Sequence, residues 1–295
     1  MVVVVGGPSS EKLGSDIAKK LDLPYINLES KVFPDDESYL KFPEEFREDE
    51  LIVIQSCFPK QDKRLMELLF IVDTAKESGV KNLNVVIPYL PYARQDKKFR
   101  AGEVVSNRSI GNLLYTVGTD LLLTIDVHQD ESFKEFKMRN LNISAMPLLA
   151  EHLKSMSLSN PCIIAPDKGA MGYAEVISSI LKTNCTFFEK QRDRITGKVE
   201  TIQKDLDFRG KDIVIIDDMI STGGTIANVS KVAKNCGAEK IIAACTHALL
   251  VGNAEEKMRN SGVTEIVTTD TVPNRFCKIS VAPIIVDTLR KFVEI

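Results

Sequence analysis

Tryptophan is absent from this chain of 295 residues, histidine occurs three times, and nowhere does a run of basic residues interleave with aromatics. Runs of that kind grip nucleic-acid backbones, and a formal net charge of −3 at pH 7 draws no polyanion either, so a nucleic-acid partner is excluded. A membrane-spanning helix needs about 20 consecutive apolar residues. No such run occurs, and the opening MVVVVGG is far too short for a secretion signal, so the expectation is a cytoplasmic protein with no membrane partner. The six cysteines, Cys57, Cys162, Cys185, Cys236, Cys245 and Cys277, contain no CxxC pair. Their spacing signals neither a zinc site nor a disulfide framework, and they read as reduced, mostly buried small residues. The pattern GxxxxGK[ST] is also missing, which excludes the P-loop of many nucleotide-binding proteins.

What the chain does have is apolar mass in a regular rhythm. With 44% apolar residues it can bury a large core, and its length favours two domains over one. Short apolar runs (VVVV, LIVIQS, NVVIPYL, LLLTIDV, CIIAP, IVIID, IIAAC, EIVTT) alternate with helical patterns such as SEKLGSDIAKKL and SNRSIGNLLYTVG. Continuous apolar runs between helices mark strands buried on both faces, so the fold class is α/β with mainly parallel sheets flanked by helices.

The rhythm contains an echo. LIVIQSCFPKQDKRLMELLFIVDTAKESGVKNLNVVI from Leu51 and DIVIIDDMISTGGTIANVSKVAKNCGAEKIIAAC from Asp212 share one plan: buried strand, loop, helix ending in AKxxG, buried strand. Gly79 and Gly237 suit left-handed helix C-caps. Chance likeness between two βαβ units is the alternative to duplication. Under duplication the chain is two similar domains, 1–143 and 144–280, and only the second carries an acidic pair with glycines.

That second copy holds the strongest chemical signal. In DIVIIDDMISTGGT an apolar strand runs into Asp217 and Asp218, then into Ser221, Thr222, Gly223, Gly224 and Thr225. A loop that opens a helix offers unpaired N–H groups and the positive end of the helix dipole to a phosphate. Glycines permit close backbone approach, and hydroxyls add donors. Carboxylates at the C-terminal end of such a strand can hold sugar hydroxyls or, through water, a divalent ion. The bland reading is a pair of capping acids before a tight turn.

VIIDDMISTGGT resembles the phosphoribosyl diphosphate-binding motif of the type I phosphoribosyltransferase fold, with Ser221 where aspartate is usual. Three further stretches resemble the ribose-phosphate pyrophosphokinase family. IPYLPYARQDKKFRAGEVVSN, on its own a charged loop after a buried strand, resembles the family's nucleotide-binding segment and implies that Arg94, Gln95 and Asp96 contact ATP. KVFPDDESYLKF, on its own an acidic turn, resembles the family's FPDGE hairpin, which holds adenine across a subunit interface. It implies ATP contacts from Phe33, Asp35, Asp36 and Glu37, with Asp36 replacing the family's glycine, and it implies at least a homodimer. LLLTIDVHQD places Asp126 and His128 two apart, hence on one face of a strand. A histidine at a strand end is commonly structural, but the resemblance puts His128 at a magnesium–ATP site, and PDKG matches Asp167 to the family's PDxG magnesium position. The following QDESFKEFKMRN lacks the family's later acidic positions, so no further metal ligand is carried over.

TFFEKQRDRITGKVE reads alone as a strand entering a basic turn. The resemblance makes Lys190 the catalytic lysine and Arg192 its partner on a mobile loop, Arg192 also meeting ribose 5-phosphate. CTHALLVGNA resembles the family's THGLFSG, with Ala248 where glycine is usual, and leaves His247 open between a structural and a functional role; His152 receives none. The resemblance implies a duplicated phosphoribosyltransferase fold, a C-terminal tail of 281–295 belonging to the first, ATP-binding domain, and ribose 5-phosphate bound by the second. It also implies transfer of a diphosphoryl group from ATP, with Mg2+, to the anomeric hydroxyl of ribose 5-phosphate. A base phosphoribosyltransferase would explain DDMISTGGT but leave FPDDE and RQDK without purpose. A non-catalytic sensor of phosphoribosyl diphosphate would not need Lys190, Arg192, His128 and Asp167.

Overall fold

The computed structural model describes residues 1–43, 46, 48–98, 100–128, 131, 135–188, 190–192, 199–201 and 206–293, with the backbone alone at 190–192 and 199–201. The chain forms two compact units, one of 1–143 with 281–295 and the other of 144–280.

In the first unit β1 (Val2–Gly6), β2 (Tyr25–Ile26), β5 (Glu50–Ile54), β6 (Asn82–Ile87), β7 (Leu121–Ile125) and β8 (Arg139–Ile143) form a sheet in the order β2-β1-β5-β6-β7-β8. Every neighbouring pair is parallel. An antiparallel hairpin of β3 (Glu29–Val32) and β4 (Ser38–Lys41) stands outside the sheet. The helices are α1 (Glu11–Leu21), α2 (Gln61–Glu77), α3 (Ser106–Thr116) and, from the far end of the chain, α8 (Ala282–Phe292). Alternate strand residues Val3, Val5, Leu51, Val53, Val85 and Leu122 pack with α2 and α3, while Val4, Ile52 and Val86 between them are equally buried, so both faces of the sheet are covered.

The second unit repeats this plan. Here β9 (Cys162–Ala165), β10 (Asn184–Phe187), β13 (Asp212–Ile220), β14 (Lys240–Ala248), β15 (Glu265–Thr269) and β16 (Cys277–Ile279) run parallel in the order β10-β9-β13-β14-β15-β16. A second antiparallel hairpin, β11 (Lys190–Arg192) with β12 (Val199–Thr201), again falls between the second and third strands of its sheet in chain order. On one face α6 (Gly224–Asn235) and α7 (Ala254–Asn260) pack on Ile213, Ile215, Ile241 and Ala243. On the other α4 (Met146–Ser155) and α5 (Met171–Leu181) pack on Val214, Ile216, Ile242 and Ala244.

The duplication reaches down to helix ends. In α2 and α6 the glycines Gly79 and Gly237 take φ of 92° and 94°, and each helix closes with two backbone bonds: Gly79 N–H to Lys76 O and Val80 N–H to Ala75 O, and Gly237 N–H to Lys234 O and Ala238 N–H to Ala233 O. This is the six-to-one, five-to-two closure that a left-handed C′ glycine permits. The corresponding α1 and α5 both end instead on a left-handed non-glycine, Asp22 at 57° and Lys182 at 54°.

Candidate functional site

In both sheets the chain leaves the second-listed strand of the order in one direction and the third in the other. Between β9 and β13 the connections therefore diverge and open a crevice at the carboxyl ends, where open α/β sheets bind ligands. β9 delivers Asp167 to that crevice and β13 delivers the acidic pair. The strand does not stop at the pair, as its sequence suggests, but runs on to Ile220, because β14 keeps pairing with it through Ile220↔Ala248. Pairing with β9 ends at Ile215↔Ile164, so the acids stand where one edge of the strand is no longer paired while β14 holds the other.

Asp218 is buried and Asp217 half-buried. Burial pushes the Asp217 carboxyl well above the usual carboxylate range, and the Asp218 charge, a hydrogen bond between the two carboxyls and the Asp167 charge push in the same direction. Asp167 caps the short helical turn Lys168–Ala170, its Oδ1 accepting from Gly169 N–H (3.0 Å) and Ala170 N–H (3.3 Å).

Past Ile220 the chain makes the loop Ser221–Thr222–Gly223 and enters α6 at Gly224, with no side chain capping that helix. Gly223 is left-handed at φ 69°, and a Cβ there would lie 2.9 Å from Ala254 O; at Gly224 a Cβ would meet only Thr222 Oγ1, at 3.8 Å. Thr222 is exposed, while Ser221, Gly224 and Thr225 are half-buried. A carboxylate pair, hydroxyls and an uncapped helix N-terminus in one crevice can hold a phosphorylated polyol: donors for its phosphate, acceptors for its hydroxyls.

The other residues singled out by sequence divide between the units. In the hairpin β3–β4, Phe33 N–H donates to Glu37 O (2.8 Å) and Asp36 N–H to Phe33 O (2.9 Å), forming the turn, while Asp35 Oδ1 accepts from Glu37 N–H at 3.3 Å. Asp36 takes φ 70°, so the turn keeps a conformation suited to the glycine it replaces, and its carboxylate binds Lys60 (3.3 Å) and Lys63 (3.1 Å) near the start of α2. Lys63 above all, then Lys60, holds the Asp36 carboxyl below its ordinary range. The Phe33 ring meets Tyr39 edge-on at 5.8 Å and is 41% exposed; Val32 is 56% exposed. Arg94 and Gln95 are exposed after β6, with the Gln95 side chain hydrogen-bonded to Ser106 at the start of α3, and Asp96 is half-buried.

The shared face expected for Asp126 and His128 does not form. β7 ends at Ile125, and Asp126 turns left-handed at φ 40°, which breaks the two-residue alternation: Asp126 is buried and His128 exposed. His247 is buried, with Nδ1 2.9 Å from Thr271 Oγ1 in a threonine network that also engages Thr246 O. Lys190 and Arg192 lie in β11, paired with Thr201 and Val199; their side chains and residues 193–198 are outside the described residues. Among the described residues no group of three or more His, Cys, Asp or Glu is placed to hold a metal by itself. The sequence reading missed Lys257, whose Nζ donates to Thr222 O at 3.0 Å. Its only sequence signal is its place with Ala254 and Met258 at helical spacing.

A family model described as the N-terminal domain of ribose phosphate pyrophosphokinase matches residues 2–118, and one described as the phosphoribosyl transferase domain matches residues 136–278. The ribose-phosphate pyrophosphokinase of Methanothermobacter thermautotrophicus is 41% identical over 289 residues, which cover 98% of this chain and 100% of the relative. That of Sulfurisphaera tokodaii is 37% identical over 284 residues, covering 96% of this chain and 97% of the relative. Among solved structures, phosphoribosylpyrophosphate synthetase from Mycobacterium smegmatis superposes with a TM-score of 0.87 at 28% identity, covering 98% of this chain and 97% of that one.

Proposed function

This chain belongs to the ribose-phosphate pyrophosphokinase family, and from that premise we propose how its residues share the reaction. The enzyme transfers the diphosphoryl group of ATP to the anomeric hydroxyl of ribose 5-phosphate, giving 5-phosphoribosyl 1-diphosphate and AMP. One observation carries the division of labour: of two units with the same strand order, among the described residues only the second brings an acidic pair and a paired-glycine loop to the carboxyl end of its third-listed strand.

In this reading, N–H groups at the start of α6 and the hydroxyls of Ser221, Thr222 and Thr225 take the 5-phosphate, with Gly223 and Gly224 leaving it room. Asp217 and Asp218 take the ring hydroxyls. A sugar hydroxyl suits Asp217 in either protonation state, since the carboxyl donates when protonated and accepts when ionised. Phe33, Asp35, Asp36 and Glu37 of one subunit hold adenine against Arg94, Gln95 and Asp96 of another, which makes the enzyme at least a homodimer; the exposed tip of Val32 and Phe33 supports this. Lys190 supplies a point charge and Arg192 a two-pronged one to the oxygens on which charge accumulates during transfer. Such groups accelerate the reaction insofar as they bind the transition state better than ATP, and closing them over the site excludes the water that would hydrolyse ATP.

The donor set fits Mg2+. Asp167 and the Asp217–Asp218 pair are hard oxygen donors that feel one another's charge, and magnesium commonly binds through one or two carboxylates plus substrate phosphates, so no all-protein cage is required. Asp167 in the ribose 5-phosphate unit and His128 in the ATP-binding unit would each hold Mg2+, which would neutralise charge on the phosphates. The proposed compartment is the cytoplasm; among the described residues no helix is long and apolar enough to cross a membrane.

The test is direct: with Mg2+, ATP and ribose 5-phosphate the protein should release AMP in step with sugar consumption. A base phosphoribosyltransferase or a sensor would release none, and that result would reject the assignment.

A further inference from the structure

The residue assignment above leaves Lys257 without a task. From Ile220 to Gly223 every carbonyl oxygen is held: Ile220 O by Leu249 N–H (2.9 Å) and Leu250 N–H (3.1 Å), Ser221 O by Val251 N–H (3.0 Å), Thr222 O by the Lys257 ammonium (3.0 Å) and Gly223 O by Ala227 N–H (2.9 Å). In a planar trans peptide the next N–H points opposite to the carbonyl. With each oxygen held by the protein, the N–H groups of Thr222, Gly223 and Gly224 point away from those holds. Among the described residues neither Thr222 N–H nor Gly223 N–H has a protein acceptor. An anion needs such a row of donors, and a single flipped peptide would replace one donor with a repelling oxygen.

Three of the four holds are backbone to backbone, so the folding of the unit secures them. Thr222 O alone depends on a side chain. Lys257 is not a loose surface lysine: it is half-buried on the face of α7 that carries Ala254 and Met258, and Gly223 lies against that face, where an added Cβ would sit 3.1 Å from Met258 Cγ.

We propose that Lys257 is a positioning residue for ribose 5-phosphate, holding the Thr222–Gly223 peptide with its N–H toward the phosphate and placing a positive charge behind the loop. It rests on the assignment of this loop to the 5-phosphate. With its ammonium on the Thr222 carbonyl, Lys257 acts through the loop that takes the 5-phosphate, so its loss should weaken sugar binding and spare the transfer step.

Lys257→Met is expected to raise the KM for ribose 5-phosphate about tenfold, the scale of one hydrogen bond to a charged group, with kcat and the ATP KM within about twofold of wild type. Lys257→Arg, which keeps charge and donors, should restore the KM. Calorimetric titration with ribose 5-phosphate and with inorganic phosphate should show the same loss and rescue. Unchanged sugar affinity in Lys257→Met, an equal rise in both KM values, or a failure of Lys257→Arg to rescue would each overturn the proposal. Should Lys257→Met not fold, Lys257→Gln, uncharged and too short to span to the carbonyl, reads the same loss. A wild type that makes no AMP yet binds phosphate in a Lys257-dependent way rejects the assigned activity and upholds the positioning role; a wild type that binds neither anion rejects the positioning role.

Discussion

Gly223 and Gly224 stand side by side and lack a side chain for different reasons. Gly223 is demanded by the fold, through its φ of 69° and the Ala254 carbonyl 2.9 Å from any Cβ. Nothing in the fold demands Gly224, where a methyl group would touch only a threonine hydroxyl. Gly223→Ala should therefore cost about 1–3 kcal/mol, visible as a lowered Tm. Gly224→Ala should leave Tm unchanged or slightly raised, since alanine orders the unfolded chain, while raising the ribose 5-phosphate KM more than tenfold, by roughly the 1.4 kcal/mol or more that factor represents. A wild-type KM in Gly224→Ala would remove the close approach of phosphate to that backbone. Lys190→Ala belongs at the same scale: kcat should fall at least about a hundredfold with ribose 5-phosphate binding nearly intact, because one preorganised charge on a transition state is worth roughly 3 kcal/mol. Wild-type turnover would take Lys190 out of the mechanism. The letters STGGT revealed that glycines matter here but could not separate the two, since strain and clearance depend on Ala254, some thirty residues further along the chain. Lys257 was illegible for the same reason: its partner is a carbonyl, and a carbonyl has no letter.

At the scale of elements, the apolar runs carried most of the strands, and AKxxG carried two helix ends down to their bonds. The hairpins were legible as turns, yet their equivalence, β3–β4 in one unit and β11–β12 in the other, emerges only from strand order. So does the reason the crevice of the first unit differs. There Gln55 replaces the acids, fully buried, taking bonds from Ser9 Oγ at 2.9 Å and giving them to Arg64 O and Glu67, so its polar atoms are engaged by protein. The periodicity failed at LLLTIDVHQD because a left-handed Asp126 ends a strand without any glycine or proline to announce it. A second interaction outside the pattern joins the starts of two parallel strands. Asp49, before β5, accepts from Lys81 Nζ at 2.8 Å, before β6, and Lys81 chiefly draws its carboxyl down from 3.8 to about 2. A carboxyl whose folded pKa is depressed stabilises the fold fully above 3.8 and loses that contribution as pH falls through about 2. Asp49→Asn should thus flatten the acid limb of a Tm-against-pH profile across that window and change little at neutral pH; an unchanged acid limb would show the pair to be without effect.

At the scale of the whole chain, the last helix of each sequence repeat serves the other unit. α4 follows β8 of the first unit but packs on α5 and β14 of the second; α8 follows β16 of the second but packs on α1 of the first. Both begin with proline in the first turn, after Ala145-Met146 and Val281-Ala282. In α8, Ala282, Ile285, Val286 and Leu289 are buried, and the Arg290 guanidinium donates to Lys20 O at 2.8 Å, a cation on the carbonyl end of α1. Composition could not say which unit that amphipathic stripe would cover, since any apolar face accepts it. Removing 281–295 should consequently damage the far end of the sequence least: amide exchange should rise in α1 and its sheet, while α4, α5 and β14 stay protected. Increased exchange confined to the second unit would contradict this placement. There is also an order of events written into the connectivity. As the nascent chain emerges, the unit that begins first waits for a helix made after all of its sibling, whereas the sibling has every element it needs by Ser280. The part of the protein born first is the part finished last.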